Sequence, residues 1–106
     1  MAKKALEGVR VIEFGLYLAL PLATRMLAAL GAEVIKVESP KGGDSHRGAT
    51  RDSGKWLELP HGLPYGFEIL NRDKKSIAVD LTKEQGQQII YSLVAKSDVF
   101  VQNFRY

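Results

Sequence analysis

Four short runs of apolar residues along the chain have the length and composition of β-strands. Each is rich in valine, isoleucine or phenylalanine and is five or six residues long, a normal strand length. The runs are residues 9–14, 33–38, 76–80 and 98–102. Consecutive apolar residues, as in Val99-Phe100-Val101, are typical of strands buried on both faces of a parallel sheet.

Helical patterns separate these runs. Between Pro21 and Leu30 the apolar residues recur at helical spacing, and Gly31 follows where a helix C-terminus favours glycine. A short helix is predicted from Tyr65 to Leu70. The sequence therefore alternates strands and helices from its beginning to its end.

The last helix has the clearest start signal. Thr82 and Gln85 have the spacing of a capping box, which predicts that Thr82 caps the helix. An apolar stripe then follows, made of Ile89, Ile90, Leu93 and Val94. Gly86 weakens a helix interior, so its presence predicts that another part of the chain approaches closely there.

The alternation of elements predicts an α/β fold, with a Rossmann-like parallel sheet of about four strands, flanking helices and right-handed crossovers. Residues 1–106 are expected to form one domain, incomplete by itself, with a long loop at about residues 39–64. That loop is rich in glycine, proline, aspartate and serine. We expect it to pass over the carboxyl ends of the strands, where a loop of this length is usually functional or mobile.

Composition narrows the function classes. With 45% hydrophobic and 25% charged residues, the chain is typical of a soluble globular protein. The net charge of +3 is scattered rather than gathered into a basic stripe, so neither nucleic acid nor a membrane is an expected partner. The chain has no cysteine, which excludes disulfides and thiolate chemistry and is compatible with the cytoplasm. His46 and His61 alone do not predict a metal site.

In open α/β sheets, ligands bind beyond the carboxyl ends of the strands. The turn after the first run, residues 15–21, has one glycine and lacks the dinucleotide fingerprint, although a phosphate can bind the amides of the helix that follows. Asp44, in the loop at residues 41–48, is expected either to fold onto its own turn amides or to belong to a lip over a ligand or over the rest of the protein. The strand-end carboxylates are expected to be solvated ends or caps, with a general base as the alternative role for any of them, and no catalytic residue is assigned. These carboxylates belong to Glu13, Glu38, Asp80 and Asp98.

Several blocks in order along the chain resemble the opening of class III CoA-transferases, the group of formyl-CoA transferase, carnitine CoA-transferase and bile-acid-inducible F. They cover nearly the whole chain, from Leu6 to Arg105. The blocks are GVRVIEF at 8–14, ALP at 19–21, LGAEVIKVE at 30–38, GGD at 42–44 with Arg47, NRDKKSIAVDL at 71–81 and DVFVQNFR at 98–105.

The resemblance implies a Rossmann-like domain that binds coenzyme A, within a much longer protein that forms an interlocked homodimer. Such enzymes transfer CoA from an acyl-CoA to a carboxylic acid through an aspartate nucleophile, which divides a difficult exchange into easier steps. That aspartate lies beyond the position matching Tyr106. Residues 1–106 are therefore expected to be the N-terminal CoA-binding part, inactive alone and cytoplasmic.

Carried over position by position, the resemblance implies CoA contacts at Leu18, Ala19, Ser39, Val79, Asn103 and Phe104. Relatives usually have glycine at the position of Leu20, and some have glutamine and arginine at the positions of Leu18 and Ser39. Two other interpretations stay open. One is an acyl-CoA racemase or isomerase of the same superfamily, and the other is a non-catalytic α/β module that binds a nucleotide or a partner chain.

Overall fold

The structure, a computed structural model, describes residues 2–48, 51–52, 55–56 and 58–105. Two 3₁₀ turns, Ser45–Gly48 and Pro60–Gly62, accompany the helices and strands. In chain order these are β1 (Arg10–Phe14), α1 (Ala19–Ala29), β2 (Glu33–Glu38), β3 (Arg51–Asp52), β4 (Lys55–Trp56), β5 (Glu58–Leu59), β6 (Leu63–Pro64), α2 (Tyr65–Leu70), β7 (Lys75–Ala78), α3 (Glu84–Val94) and β8 (Val99–Gln102).

A four-stranded parallel sheet in the order β7-β2-β1-β8 forms the centre of the fold. The α/β prediction is confirmed, and all four predicted strands are present with bounds that differ from the predicted ones by at most two residues. Because the strands are parallel, their carboxyl ends, from Phe14, Glu38, Ala78 and Gln102, lie along one edge of the sheet. The strand ends that the sequence analysis considered as a ligand-binding edge therefore lie side by side in the fold.

Each face of the sheet carries its own hydrophobic cluster. On one face Val11 and Val34 pack with Ala28 of α1 and with Ala32. On the other, Ile12, Phe14, Val37 and Val79 pack with Ile90 of α3. Ile12 is fully buried, and burying a side chain of this size contributes roughly 2 kcal/mol. Alternate residues of β1 thus serve opposite cores, which explains the unbroken apolar runs in the sequence.

The two long helices begin and end for different reasons. Helix α1 ends at Leu30, and Gly31 follows with a φ of 106°, a conformation that glycine adopts without strain. The predicted capping box of α3 is wrong, because Lys83 occupies the N-cap position without a side-chain hydrogen bond. The hydroxyl of Thr82 instead donates to Oδ1 of Asp80 at 2.6 Å.

Gly86 brings α3 against the end of β7. A Cβ atom at this position would lie 2.1 Å from the carbonyl oxygen of Asp80. The close approach predicted from the sequence is therefore present. It lets Ile90, one turn further along, reach the core cluster that contains Val79.

The segment at residues 39–64 contains more local structure than the predicted long loop. Within its described part, β3 pairs with β4 and β5 with β6, both antiparallel, and α2 follows directly. Residues 49–50, 53–54 and 57 of this segment lie outside the described residues. Helix α2 has the predicted bounds, and Phe67 and Leu70 are its buried residues.

Candidate functional site

A cleft lies where the chain reverses its direction across the sheet. From β1 the strand order runs one way to β2 and β7, and α3 then carries the chain back to β8 on the other side of β1. Such a switch point separates the two loops that leave β1 and β8 and is the usual ligand position in open α/β sheets. The cleft measures about 530 Å³ and is lined by Leu16, Tyr17, Leu18, Ala19, Asn103, Phe104 and Arg105.

A second cleft adjoins the first along the same edge of the sheet. It measures about 230 Å³ and shares Leu16 and Phe104 with the first cleft. Its other lining residues come from the ends of β1, β2 and β7 and the loops that follow, namely Phe14, Val37, Glu38, Ser39, Gly43, Val79 and Leu81. The two clefts together give an elongated, mostly apolar surface, as expected for a site that binds an extended organic ligand.

The structure distributes the six residues singled out by the family resemblance between these two clefts. Leu18, Ala19 and Asn103 line the first cleft, and Ser39 and Val79 line the second. Phe104 lines both. Their contact with coenzyme A stays a prediction, but their placement along one continuous edge is a property of the fold.

Aromatic packing supports the part of the site between the clefts. Phe14, at the end of β1, meets Phe100 edge to face with ring centres 5.2 Å apart. Its ring also lies 5.8 Å from that of Phe104. Phe104 is nevertheless 47% exposed, so one face of its ring remains available to a ligand.

The amino terminus of α1 opens into the first cleft. Leu18 occupies the N-cap position, and no side chain caps the helix. The amides of Ala19 and Leu20 in the first turn therefore have no partner within the helix. Together with the nearby guanidinium-bearing Arg105, these amides give the cleft an end suited to an anionic group such as a phosphate.

Behind the first cleft lies a buried cluster of four charged side chains, here called the charge quartet: Glu13, Lys36, Asp44 and Lys74. Glu13 and Asp44 are fully buried, and the side chains of Lys36 and Lys74 are 1% and 2% exposed. Buried charges are costly unless they are paired, and here two cations balance two anions.

Lys36 and Lys74 hold Glu13 from two sides. Nζ of Lys36 lies 3.1 Å from Oε1 of Glu13 and Nζ of Lys74 lies 2.9 Å from Oε2. The hydroxyl of Thr24 also donates to Oε2, at 2.7 Å. Burial lowers the pKa of Lys74, although its ion pair with Glu13 opposes that effect.

Lys36 and Lys74 also bind main-chain oxygens near the cleft. Nζ of Lys36 donates to the carbonyl of Gly15 at 2.7 Å, and Nζ of Lys74 donates to the carbonyl of Pro21 at 2.9 Å. The quartet therefore fixes the start of the segment that connects β1 with α1 and the first turn of α1. This segment supplies one wall of the first cleft.

The expectation that the strand-end carboxylates are solvated ends or caps is wrong for Glu13 and Glu38, which are 0% and 6% exposed. It fits the other two better, because Asp80 accepts the amide and hydroxyl hydrogens of Thr82 and Asp98 accepts the main-chain N–H of Arg10. Glu13 and Glu38 differ because cations from other elements reach them.

Asp44 does fold onto its own turn, as one sequence-based interpretation held, because its Oδ1 accepts the main-chain N–H of His46 at 2.9 Å. It also reaches beyond that turn to the N–H of Tyr17, at 3.1 Å. Its Oδ2 lies 2.9 Å from Nζ of Lys36, at an angle that does not meet hydrogen-bond geometry, so that contact is an ion pair.

Sequence reasoning missed Lys36 and Lys74 as supports of the site. A signal existed for the first of these, because a lysine inside the apolar run of β2 is unusual and Glu13 is equally unusual inside β1. Glu13 and Lys36 are register partners in the sheet. Lys74 carries no comparable signal, since it belongs to a polar turn in the sequence.

Within the described part of the chain, no group of three or more histidine, cysteine, aspartate or glutamate side chains is arranged to hold a metal ion. Among the same residues, no helix has both the length and the apolar character needed to cross a bilayer.

Comparison with protein families gives one match over most of the chain. The sequence profile of CoA-transferase family III covers residues 6–106. Among characterised relatives, the formyl-CoA:oxalate CoA-transferase of Streptomyces coelicolor is 42% identical over 104 residues, which are 98% of this chain and 24% of the relative. The enzyme of the same name from a Bradyrhizobium species is 41% identical over 101 residues, 95% of this chain and 22% of its own.

Solved structures give the same grouping. A hypothetical protein of Mycobacterium tuberculosis superposes with a TM-score of 0.82 at 43% identity, over 96% of this chain and 26% of that one. A CAIB/BAIF family protein from Brucella suis superposes with a TM-score of 0.81 at 36% identity, over 97% of this chain and 26% of its own. The chain thus spans about a quarter of the length of the proteins it matches.

Proposed function

Since this chain belongs to CoA-transferase family III, we propose that residues 1–106 supply the coenzyme-A-binding part of an enzyme that transfers CoA from an acyl-CoA to a free carboxylic acid. The acyl-CoA and the acid are its substrates, and the complete enzyme is an interlocked homodimer in the cytoplasm. The nucleophilic aspartate is expected downstream of the position of Tyr106, so these residues alone carry out no transfer. Relatives bear names that specify formyl-CoA and oxalate, and this chain shares their substrate class.

The observation that supports the proposal is the pair of adjoining clefts at the carboxyl edge of the sheet. Coenzyme A has an anionic nucleotide end and a long, flexible, largely uncharged arm. The amino terminus of α1 and Arg105 suit the anionic end, while the apolar second cleft suits the arm. All six residues implied by the resemblance line this surface.

Titration of the protein with coenzyme A tests the binding assignment. Amide resonances of Asn103 and Phe104 are expected to shift, and calorimetry is expected to give a single site. Inorganic tripolyphosphate is the control ligand, because it offers charge without the nucleotide or the arm. Shifts confined to Arg72 and Lys75, exposed basic residues that line neither cleft, would mean that only phosphate charge is attracted and would overturn the assignment.

Removing an aromatic ring from the site provides a variant test. Phe104→Ala takes away the exposed ring shared by both clefts and is expected to weaken CoA binding by about tenfold, the effect of losing 1–2 kcal/mol of packing. Tyr91→Ala is the matched control, since Tyr91 is an exposed aromatic residue on α3 outside both clefts. Equal affinities of the two variants would contradict the placement.

Activity measurements separate the proposal from its alternatives. Residues 1–106 incubated with an acyl-CoA and a carboxylate are expected to show no new acyl-CoA, whereas the protein extended by the downstream sequence is expected to form it. Exchange of the acyl α-proton with deuterium oxide by the extended protein, without transfer, would assign a racemase or isomerase instead. Transfer by residues 1–106 alone would overturn the assignment of the nucleophile.

A further inference from the structure

The main chain that leaves β1 is held by side chains from outside its own segment. The carbonyl of Gly15 accepts Nζ of Lys36 at 2.7 Å, and the N–H of Tyr17 donates to Oδ1 of Asp44 at 3.1 Å. The carbonyl of Tyr17 lies 2.9 Å from Nδ1 of His46. Main-chain polar atoms of Gly15 and Tyr17 are thus fixed by three side chains from other parts of the chain.

Tyr17 adopts a conformation that it would not choose by itself. Its φ is 67°, in the left-handed region, where a residue with a Cβ atom is strained by roughly 1–2 kcal/mol. Such a conformation persists only where its surroundings enforce it. The two hydrogen bonds at Tyr17, together with the stacking of its ring on that of His46 with centres 4.5 Å apart, are the enforcing contacts.

Asp44 is the centre of these contacts. Its Oδ1 accepts the N–H groups of both Tyr17 and His46, and so fixes the residue that is strained and the residue that stacks on it. Its Oδ2 is held by Lys36, within the charge quartet. Burial would raise the pKa of Asp44, but the bonds from Lys36, His46 and Tyr17 lower it below its ordinary value, so the side chain stays a carboxylate.

We propose that Asp44 is a positioning residue for ligand binding, which fixes Tyr17 in its strained conformation so that residues 16–19 already line the first cleft before a ligand arrives. Asp44 lines neither cleft and does not need to touch the ligand. A preorganised segment loses less conformational freedom on binding, and the affinity rises accordingly. The inference builds on the proposed function, because its ligand is coenzyme A.

The test compares three variants of the purified protein. Asp44→Asn keeps the size of the side chain and removes its charge. His46→Phe keeps a ring that can stack on Tyr17 and removes the nitrogen that binds its carbonyl. Ser45→Ala is the control, because Ser45 is an exposed neighbour in the same turn. Two quantities are measured under conditions in which each variant is folded: hydrogen–deuterium exchange of peptides that cover residues 15–20 and 33–38, and the Kd for coenzyme A.

For Asp44→Asn we expect exchange at residues 15–20 to accelerate at least tenfold while residues 33–38 stay protected, and the Kd to rise about tenfold. For His46→Phe we expect changes of about threefold in the same directions, and for Ser45→Ala no change. A merely structural role would lower the stability without a local change in exchange and without a change in the Kd of the folded protein.

Unchanged exchange at residues 15–20, or an unchanged Kd, in folded Asp44→Asn would overturn the proposal. If that variant does not fold, His46→Phe decides in the same way, since it removes one of the contacts that hold Tyr17 and lies at a partly exposed residue. If the wild type binds no coenzyme A, the proposed function fails, and the exchange measurement alone decides whether Asp44 holds the segment.

Discussion

Arg47 binds both carboxylate oxygens of Glu38 at once, with Nε 2.7 Å from Oε1 and Nη2 2.7 Å from Oε2. The same guanidinium lies 3.9 Å from the ring centre of Phe67 in α2. Glu38 further accepts the hydroxyl of Ser76, at 2.6 Å, and the N–H of Asp44, at 2.9 Å. This carboxylate therefore joins β2, the loop after it and β7 at the wall of the second cleft.

These contacts predict how the free energy of unfolding depends on pH. Burial raises the pKa of Glu38, but the bonds from Arg47, Ser76 and the Asp44 N–H outweigh it and lower the pKa from 4.5 to about 2. The folded state therefore gains roughly 3 kcal/mol above pH 4.5, and loses it as the pH falls from about 4.5 to about 2. Urea unfolding at a series of pH values measures this loss.

Two variants serve as controls for the urea unfolding series. Glu38→Gln has no carboxyl to protonate and is expected to unfold at lower urea concentrations with a flatter pH dependence. Ser76→Ala removes one of the four hydrogen-bonding contacts and is expected to lose only about 1 kcal/mol. Parallel pH curves for the wild type and Glu38→Gln would show that another group is responsible.

The charge quartet predicts that losing a buried lysine lowers the free energy of unfolding more than losing an exposed lysine does. Lys36→Met leaves Glu13 and Asp44 buried with one cation fewer and is expected to cost about 3–5 kcal/mol. Lys75→Met breaks an ion pair with Glu33 in which Lys75 is 69% exposed, and is expected to cost less than about 1 kcal/mol. Chemical unfolding of the two variants at neutral pH gives the comparison, and equal losses would contradict the assigned role of the quartet.

The close contact at Gly86 predicts that alanine there destabilises the protein, although alanine has the higher helix propensity. The added Cβ would lie 2.1 Å from the carbonyl oxygen of Asp80, so α3 or the end of β7 has to move. We expect Gly86→Ala to lose at least about 2 kcal/mol, more than offsetting the roughly 1 kcal/mol gained from helix propensity. Gly48→Ala is the control, because within the described part of the chain no atom beyond its chain neighbours lies within 4 Å of its Cβ position. Thermal unfolding distinguishes them, and a more stable Gly86→Ala would contradict the close approach.

The position of Ser39 predicts that a cationic side chain there raises the affinity for coenzyme A. Ser39 is an exposed residue that lines the second cleft. Ser39→Arg adds a cation at the mouth of the proposed coenzyme-A site and is expected to lower the Kd about threefold at low salt and less at high salt. Ser39→Gln supplies a long polar side chain without charge and is expected to change little. An arginine effect that is absent at low salt would place the anionic part of the ligand elsewhere.

Local signals in the sequence were sufficient for most of the fold. Unbroken apolar runs identified the four sheet strands, and Gly31 marked the end of α1, because both depend on residues close in the chain. Thr82 is not the cap because Lys83 occupies the N-cap position, while the N–H and the hydroxyl of Thr82 both donate to Asp80, two residues away. Propensity rules treat each helix start alone and do not include such competition.

The supports of the site were less accessible from the sequence. The family resemblance named residues that line the clefts, but it said nothing of how the segment after β1 is held. The contact between Tyr17 and Asp44 joins positions 27 apart, and the one between Lys74 and Pro21 joins positions 53 apart. Pairs at such separations are set by the sheet register and by the path of the loops, which a single sequence does not encode locally.

The charge quartet also restricts how this protein can change over generations. The charges of its two carboxylates and two ammonium groups balance within one buried cluster, so replacing any single member with an uncharged residue leaves an uncompensated charge there. Replacing one acidic and one basic member together with uncharged residues avoids that penalty. Natural variants are therefore expected to alter these positions in oppositely charged pairs, so that sequence covariation, more than invariance of any one residue, would reveal the quartet.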